Sequence, residues 1–265
     1  MKNNPFSKIK SPTIVVDKNR VLKNIQQFQK KFSSSNTLFR PHFKTHQSTT
    51  IGKWFQELGI HQISVSSLAM AWQFYQAGWK DISIVFPFNR LEIELIQKMS
   101  KDATLGILIE DIESVDFLSN HISNSIDIYI KVDCGYHRTG IDVENHKLIL
   151  EIPKKIEHYD KLNFKGILSH FGNTYAARNK TEVEQIYTSS LEKMLELKKQ
   201  LIPLFPDVMI SIGDTPSASI IKDFTNMDEM RPGNFVFYDW MQTEIGSCTA
   251  EQIAAIMLCP VVAKH

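Results

Sequence analysis

Residues 103–133, ATLGILIEDIESVDFLSNHISNSIDIYIKVD, contain the alternation that decides the fold. Two runs rich in β-branched residues, 103–110 and 125–133, have the length of strands, and the segment 111–119 between them is amphipathic with helical spacing. A strand, a helix and a second strand in this order form a crossover unit whose strands pair in parallel through a right-handed connection. We therefore predict an α/β protein built on a parallel sheet.

The same alternation continues along most of the chain. Eight strand-like runs alternate with helical segments over about 200 residues, and eight such units favour a closed (β/α)8 barrel of the TIM type over an open sheet. The other runs are 37–42, 61–67, 81–87, 163–170, 207–213 and 227–233, and further amphipathic segments are 20–32, 68–77, 89–100 and 181–201.

Two segments lie outside these eight units. The first is the strand-like PTIVVD at 12–17, and the second is the tail, whose last residues, 251–265, read EQIAAIMLCPVVAKH. A terminal strand this apolar requires a partner, so it either packs on the first strand or belongs to a second domain of a longer protein. We expect a barrel domain over 18–239, with 1–17 and 240–265 as strands of a truncated C-terminal β domain.

The composition excludes several classes of protein. With 30 basic and 29 acidic residues the formal net charge is +1, which leaves no basic footprint for nucleic acid or an anionic membrane. No apolar run approaches the roughly 20 residues that span a bilayer, and the N-terminus has no secretory core. Cys134, Cys248 and Cys259 lack CxxC spacing, which suits a reducing cytoplasm and argues against disulfides or a zinc ribbon.

The predicted barrel indicates where a site should lie. Barrel active sites gather where strands end and loops begin, so polar residues at these points are the candidates. They are His42 and Lys44 after the first barrel strand, Arg138 after the fifth, His170 and Tyr175 after the sixth, Ser211, Gly213 and Thr215 after the seventh, and Arg231, Gly233 and Tyr238 after the eighth.

The loops after strands seven and eight are where barrels usually bind phosphate. The stretch GDTPS, 213–217, offers a glycine for close backbone approach, hydroxyl groups and a helix start whose amides can face an anion. Gly233 on the next loop can add an amide. An ordinary strand-to-helix turn uses the same residue types, so the phosphate interpretation depends on the position in the barrel.

A lysine facing such a phosphate site indicates pyridoxal phosphate, which needs an amine for a Schiff base and a partner for its ring nitrogen. Lys44 lies in RPHFKTHQ, 40–47. If Arg40 and the two histidines there are charged, they disfavour the ammonium form of Lys44. The alternatives are a solvated loop lysine and a metal site at His42 and His46, which has no third ligand nearby; we predict no metal ligand in this chain.

These motifs together resemble a known family. RPHFKTH, VDCGYHRTG, SHFGNTY, SIGDTPS and EMRPGNFVFYD occur in the order seen in the D-threonine aldolase and D-serine dehydratase group of fold-type III pyridoxal-phosphate enzymes, relatives of alanine racemase. The resemblance runs from about Thr13 to the chain end. It implies a barrel of the alanine racemase N-terminal kind and a cytoplasmic enzyme of D-amino acid metabolism, with a small-molecule substrate and a homodimeric assembly.

The resemblance also implies roles for individual residues. Lys44 would form the Schiff base, and His170 would lie against the ring face as a candidate base. The remaining assignments place Arg138 near the phenolic oxygen, Arg231 at the pyridine nitrogen, and Gly213, Thr215 and Gly233 at the phosphate. An arginine keeps its proton, so the ring nitrogen would stay unprotonated and the cofactor would be a weaker electron sink.

Several functions remain open at this point. The leading hypothesis is a lyase on β-hydroxy-D-amino acids, by retro-aldol cleavage to glycine and an aldehyde or by β-elimination of water. In that group a zinc or manganese ion is held by a His and an Asp or Cys two residues on; no such pair ends this chain, so we expect any metal site in residues beyond it. The alternatives are an amino-acid racemase and a non-catalytic pyridoxal-phosphate carrier.

Overall fold

The computed structural model describes residue 6 and residues 8–264, and it contains a ring of eight parallel strands surrounded by helices. The strands are β1 (Thr13–Val16), β2 (Leu38–Phe39), β3 (Gln62–Val65), β4 (Asp81–Pro87), β5 (Thr104–Ile109), β6 (Ile126–Asp133), β7 (Ile141–Asp142), β8 (Leu162–Ser169), β9 (Met209–Ile212), β10 (Glu229–Met230) and β11 (Ala255–Leu258). The helices are α1 (Lys18–Ser33), α2 (Thr49–Glu57), α3 (Leu68–Gln76), α4 (Ile93–Met99), α5 (Ile112–His121), α6 (His146–Ile156), α7 (Lys180–Leu201), α8 (Thr215–Ile220) and α9 (Trp240–Ile245).

The strand order confirms the predicted barrel. Parallel pairing runs β2-β10-β9-β8-β6-β5-β4-β3, with β7 added beside the end of β6. The ring is nearly closed between its first and last strands, where His42 forms an isolated parallel bridge with Ser64. The amide of Phe43 donates to the Ser64 carbonyl at 2.9 Å, so the segment that carries Lys44 is part of the closure.

The inside of the barrel is layered along its axis. At the amino-terminal ends of the strands, the side chain of Arg40 lies between Asp81 and Glu229, the first residues of β4 and β10. Above it Leu108, Tyr129 and Leu168 form a small buried cluster. Leu168 of this cluster also lines the floor of the pocket described below.

The helices form because apolar stripes pack on the outside of the barrel. The segment predicted as helical at 181–201 is α7, and its buried residues include Val183, Met194 and Leu197 at helical spacing. The predicted turn after strand seven is confirmed as well. Asp214 caps α8 by accepting a hydrogen bond from the Ser217 amide at 2.7 Å.

The two terminal segments form a separate antiparallel pair. β1 pairs with β11, with Thr13 opposite Leu258 and Val16 opposite Ala255. The tail therefore packs on the first strand, one of the two arrangements considered for it. The prediction assigned all of 240–265 to strands, whereas Trp240–Ile245 form α9, which Asp239 caps through the Gln242 amide. No helix in the described part of the chain is long and apolar enough to cross a membrane.

Candidate active site

A pocket at the carboxyl ends of the barrel strands brings most of the predicted residues together. It is lined by basic side chains from four different strand ends. Among the residues that the structure describes, Asp214 is the one acidic residue on its wall. A neighbouring cavity of about 350 Å³ shares Lys44 and Tyr175 with it. The pocket is lined by His42, Lys44, Val85, Lys131, Arg138, Leu168, His170, Tyr175, Gly213, Asp214, Arg231 and Gly233.

Three of the eleven predicted residues lie outside this wall. Tyr238 lines the neighbouring cavity, and its hydroxyl lies 3.0 Å from the Ser219 hydroxyl. Ser211 is fully buried beneath Arg231, so it reaches the pocket only through that side chain. Thr215 is also fully buried, where its hydroxyl accepts a hydrogen bond from the Asn234 amide at 3.0 Å.

The amine of Lys44 stands at the mouth of the pocket. Its backbone is held by His42, whose Nδ1 accepts a hydrogen bond from the Lys44 amide at 3.2 Å. Partial burial of the amine, together with the positive charges of Arg138 and Arg231, lowers the pKa of Lys44. Among the described residues no carboxylate lies within 4 Å of Nζ, so nothing there counteracts the shift toward the free amine.

The residues responsible for this shift differ from those that the sequence indicated. Arg40 does not act on Lys44: it lies under the pocket floor, paired with Asp81 and Glu229 at 2.5 Å each. The histidines are not charged tuners either. Burial lowers the pKa of His42 well below its usual range and that of His46 to about 4, so both rings are neutral at pH 7.

His46 is held in an apolar environment, which also excludes it from the pocket. Its ring packs against Phe43, Phe55 and Phe74, with centroids 4.4–6.1 Å away. Its Nδ1 accepts a hydrogen bond from the amide of Ser48, the residue that caps α2. The two histidines of RPHFKTHQ therefore face different surroundings, His42 the pocket and His46 an aromatic cluster.

His170 faces the pocket as a neutral imidazole of defined tautomer. Its Nδ1 is hydrogen-bonded to the Gly213 carbonyl, and because a carbonyl only accepts, Nδ1 carries the proton. Burial, reinforced by the cations of Lys44 and Arg138, lowers the pKa of His170 to about 3. The lone pair on Nε2 is consequently available to accept a proton at neutral pH.

Arg231 is the most firmly fixed cation of the pocket. Its Nε donates to the Ser211 hydroxyl at 2.6 Å and Nη2 donates to the Ser169 carbonyl at 2.8 Å. Glu229 lies 3.7 Å from Nε, within ion-pair distance, whereas Asp239 does not pair with Arg231 and accepts a hydrogen bond from the Asn234 side chain. Burial lowers the pKa of Arg231 to about 10, and the guanidinium therefore stays charged at neutral pH.

Gly213 and Gly233 bring backbone to the pocket wall, and a side chain at either position would crowd neighbouring protein atoms. A Cβ on Gly213 would lie 2.9 Å from Nη1 of Arg231, and one on Gly233 would lie 3.1 Å from the His42 carbonyl oxygen. The Thr215 amide donates to the Tyr175 hydroxyl at 3.0 Å, which ties the α8 turn to the loop after β8. The three loops thus form one connected wall of backbone and hydroxyl groups.

Lys131 is a pocket residue that the sequence analysis missed. It points inward from β6 with 4% of its surface exposed, and burial lowers its pKa to about 8. A charged residue inside the apolar run SIDIYIKVD was the available signal. The run alternates, with Ile and Val at even positions and Lys131 on the face of Asp127 and Tyr129, but the alternation alone does not show which face turns toward the barrel interior.

Asp214 is the second residue on the wall that was missed. Its Oδ2 accepts hydrogen bonds from the Thr174 hydroxyl and the Ser217 amide, while Oδ1 is buried with no partner among the described residues. Burial raises its pKa to about 6. The pocket therefore has a large excess of positive charge, and a bound anion would offset it.

Comparison with known proteins identifies the fold and its lineage. The model of the alanine racemase N-terminal domain matches residues 16–239. The chain belongs to this family. The family resemblance drawn from the five motifs is confirmed, and so is the barrel of the alanine racemase kind.

The curated proteins that this chain resembles in sequence are named as enzymes. The chain is 28% identical to the D-serine dehydratase of Dictyostelium discoideum over 99% of its own length and 71% of that protein. It is 25% identical to the D-threo-3-hydroxyaspartate dehydratase of Delftia sp. over 95% of its length and 67% of that protein. The chain thus spans about two thirds of these relatives.

Solved structures give the same fold. The Delftia dehydratase superposes with a TM-score of 0.86 at 22% identity, over 94% of this chain and 67% of that one. A D-threonine aldolase from Filomicrobium marinum superposes with a TM-score of 0.80 at 20% identity, over 93% and 68% of the two chains. At these identities the superposition establishes the architecture alone.

The residues present fit the pyridoxal phosphate that the family implies. The group needs an amine, an anion cradle and a partner for its ring nitrogen. Lys44 supplies an amine with a lowered pKa, Gly213 and Gly233 bring backbone to the pocket wall, and Arg231 supplies a fixed cation. A metal is a different case, because no three His, Cys, Asp or Glu side chains of the described residues are grouped to hold one.

Proposed function

We propose that the chain is the pyridoxal-phosphate barrel of a lyase that acts on β-hydroxy-D-amino acids, with loss of water across Cα and Cβ as the leading reaction. The observation that carries this proposal is the Lys44 amine. It has a lowered pKa, and it shares one cationic pocket with Arg231 and His170. Two dehydratases among the relatives, each matched over nearly the whole chain, favour dehydration over retro-aldol cleavage.

In this proposal the cofactor's aldehyde would attach to the Lys44 amine. Its phosphate would lie at Gly213, Thr215 and Gly233, where the α8 turn meets the loop after β10. Arg231 would donate a hydrogen bond to the ring nitrogen and keep its own proton. His42 and Tyr175 would complete the binding wall, Tyr238 would contribute from the neighbouring cavity, and Ser211 would act through its hydrogen bond to Arg231. Arg138 would lie near the phenolic oxygen.

The reaction then depends on how this chain's side chains hold and move protons. When bound, pyridoxal phosphate withdraws electrons from the substrate's Cα. The Lys44 amine and the Nε2 lone pair of His170 are the two candidate acceptors for the Cα proton; the lowered pKa of Lys44 favours its free-amine form, and the pKa of His170 near 3 leaves its Nε2 unprotonated at pH 7. The fixed positive charge of Arg231 would stabilise negative charge that develops at the cofactor's ring nitrogen.

A metal ion has no assigned place in this proposal. A variant of the Delftia dehydratase has been solved in a metal-free form, so a metal belongs to that enzyme. Within the described residues of this chain the ligands do not fit one. Turnover should therefore be measured with and without added Zn²⁺ and Mn²⁺.

The central test is covalent labelling at Lys44. After incubation with pyridoxal phosphate and reduction with borohydride, peptide mass spectrometry should locate the added mass on Lys44. Lys44→Ala should abolish the specific label. Lys131→Met is the matched control, since it removes the other lysine of the same pocket and should leave the label in place. A label that persists in Lys44→Ala and disappears in Lys131→Met would overturn the assignment.

Turnover then separates the reaction classes. D-Serine, D-threonine, D-threo-3-hydroxyaspartate and D-alanine should be assayed with and without added Zn²⁺ or Mn²⁺. Formation of ammonia and an oxo-acid would support dehydration, and glycine with an aldehyde would support cleavage. Exchange at Cα of D-alanine alone would identify a racemase, and retention of cofactor without any turnover would identify a carrier.

A further inference from the structure

The loop that follows β6 holds Tyr136 in a fixed place beside the pocket. The Asp133 carboxylate accepts hydrogen bonds from the amides of Gly135, Tyr136 and His137, at 2.8–2.9 Å. Gly135 has φ of 113° and His137 has φ of 55°, so both flanking residues adopt the left-handed conformation. Such a backbone is costly for a residue with a side chain, and the three hydrogen bonds stabilise it at His137.

The ring of Tyr136 contacts two of the proposed site residues. Its centroid lies 5.5 Å from that of His170 with the planes at 79°, an edge-to-face contact, and Cζ of Arg138 lies 5.3 Å from the ring centre. Tyr136 does not line the pocket itself and is 40% exposed. It therefore stands on the outer side of both residues rather than in contact with a ligand.

The ring also depends on a glycine that follows β8. A Cβ on Gly172 would lie 2.3 Å from Cε1 and 2.4 Å from Cζ of Tyr136, closer than any packed side chain allows. The next residue, Asn173, donates from its side-chain amide to the Gly135 carbonyl at 3.0 Å. The two loops are thus fitted to each other, and the bare Cα of Gly172 is the seat of the aromatic ring.

His170 needs such support because its other contacts leave one side open. Nδ1 is held by the Gly213 carbonyl, and Tyr175 lies on a second side with its ring centroid 6.1 Å away. The charged and titratable groups that act on it from neighbouring elements are His42, Lys44, Lys131 and Arg138. Of these, Lys44, Lys131 and Arg138 are the positive charges that disfavour a protonated His170 imidazole.

We propose that Tyr136 is a positioning residue: seated on Gly172, its ring holds the His170 imidazole with Nδ1 on the Gly213 carbonyl and Nε2 directed into the pocket. The proposal deepens the proposed function, because it explains how the candidate proton acceptor keeps one orientation. Its test does not depend on turnover. If Tyr136 did not orient His170, the Lys44 labelling would be unaffected. If Lys44 were not labelled, the orientation of His170 could still be measured.

The orientation can be read from the ring nitrogens of His170 by NMR of the full chain with ¹⁵N-labelled histidine. A His170→Gln spectrum identifies the His170 signals. In the wild type they should show one neutral tautomer with the proton on Nδ1, and Tyr136→Phe should preserve it because the ring remains. Tyr136→Ala should give a mixture of tautomers, with the titration midpoint of His170 raised by at least one unit.

Gly172→Ala provides an independent test of the seat. The added methyl must displace the Tyr136 ring, so this variant should show the same tautomer mixture as Tyr136→Ala. In the double variant the clash no longer exists, and the His170 signals should match those of Tyr136→Ala alone. A single Nδ1–H tautomer in Tyr136→Ala would overturn the proposal, and because Tyr136 is partly exposed this variant should fold even if Gly172→Ala does not.

Discussion

Two buried cations inside the same barrel have opposite surroundings. Arg40, 6% exposed, lies near the amino-terminal ends of the strands, where Asp81 and Glu229 each approach it at 2.5 Å. Lys131, 4% exposed, lies near the carboxyl ends, and no carboxylate of the described residues is within 4 Å of its amine. Its one recorded hydrogen bond is to the Val132 carbonyl at 3.3 Å.

The protonation of the two cations follows from this difference. Burial by itself would lower the pKa of Arg40, but the charges of Glu229 and Asp81 outweigh it and raise the pKa. At Lys131 burial dominates and Arg231 adds to it, so the pKa falls. Arg40, whose charge is neutralised by two carboxylates, is a structural part of the barrel. Lys131, whose charge is unpaired, is available to a ligand.

The largest effect is expected from Glu229→Gln, which removes the fully buried partner of Arg40. Breaking a buried ion pair from one side leaves an uncompensated charge, which costs about 3–5 kcal/mol. The Ser211 hydroxyl, 2.6 Å from Oε1, would lose a charged partner as well. Urea denaturation should show this loss, with exposed Glu244→Gln as the control. A loss below about 1 kcal/mol would mean that the Arg40 charge is not held by Glu229.

A smaller effect of opposite sign is expected from Lys131→Met in ligand-free protein. The folded-state pKa of Lys131 is about 8 against the ordinary 10.5. Between these values the unfolded chain binds the proton that the folded chain has lost, so stability rises with pH across this window and the penalty is fully present below pH 8. Removing the amine should raise the free energy of unfolding at pH 7 by about 2 kcal/mol.

The pH dependence provides the sharper measurement of Lys131. Lys31 also has a pKa of about 8, so it should add to the gain in stability of the wild type between pH 8 and 10.5, and the lowered pKa of Lys44 acts in the same direction. Lys131→Met should reduce that slope, whereas exposed Lys147→Met should not. Stability that falls in Lys131→Met at pH 7 would show that the amine has a stabilising partner and would remove the contrast with Arg40.

The same contrast shows what a sequence can predict. Strand and helix alternation gave the barrel, and strand ends gave eight of the pocket residues, because both follow from local patterns and from the geometry of parallel sheets. The prediction that Arg40 acts on the Lys44 amine was wrong for a physical reason. Its partners lie 41 and 189 positions away, and no local pattern reveals which of several buried charges will meet.

Besides α9, two further helices, α2 and α6, were not identified, for reasons that are also physical. The sequence of α2, TTIGKWFQE, combines two threonines with a glycine, which have low helix propensity, and its helix is stabilised by packing of Ile51 and Phe55. The helix α6 contains Pro153, a residue that argues against a helical interior. In both cases tertiary burial outweighs the local preference that sequence analysis uses.

The smallest effect separates the two carboxylates that hold Arg40. The Asp81 side chain is 40% exposed, whereas that of Glu229 is fully buried. A charge that water can reach contributes less to an ion pair, since solvent screens the attraction and replaces the lost partner. Asp81→Asn should therefore cost about 1 kcal/mol in the free energy of unfolding, and 0.5 M salt should reduce that cost. An equal loss from Asp81→Asn and Glu229→Gln would show that depth in the barrel does not govern these charges, and Lys131 would then need another explanation for its lowered pKa.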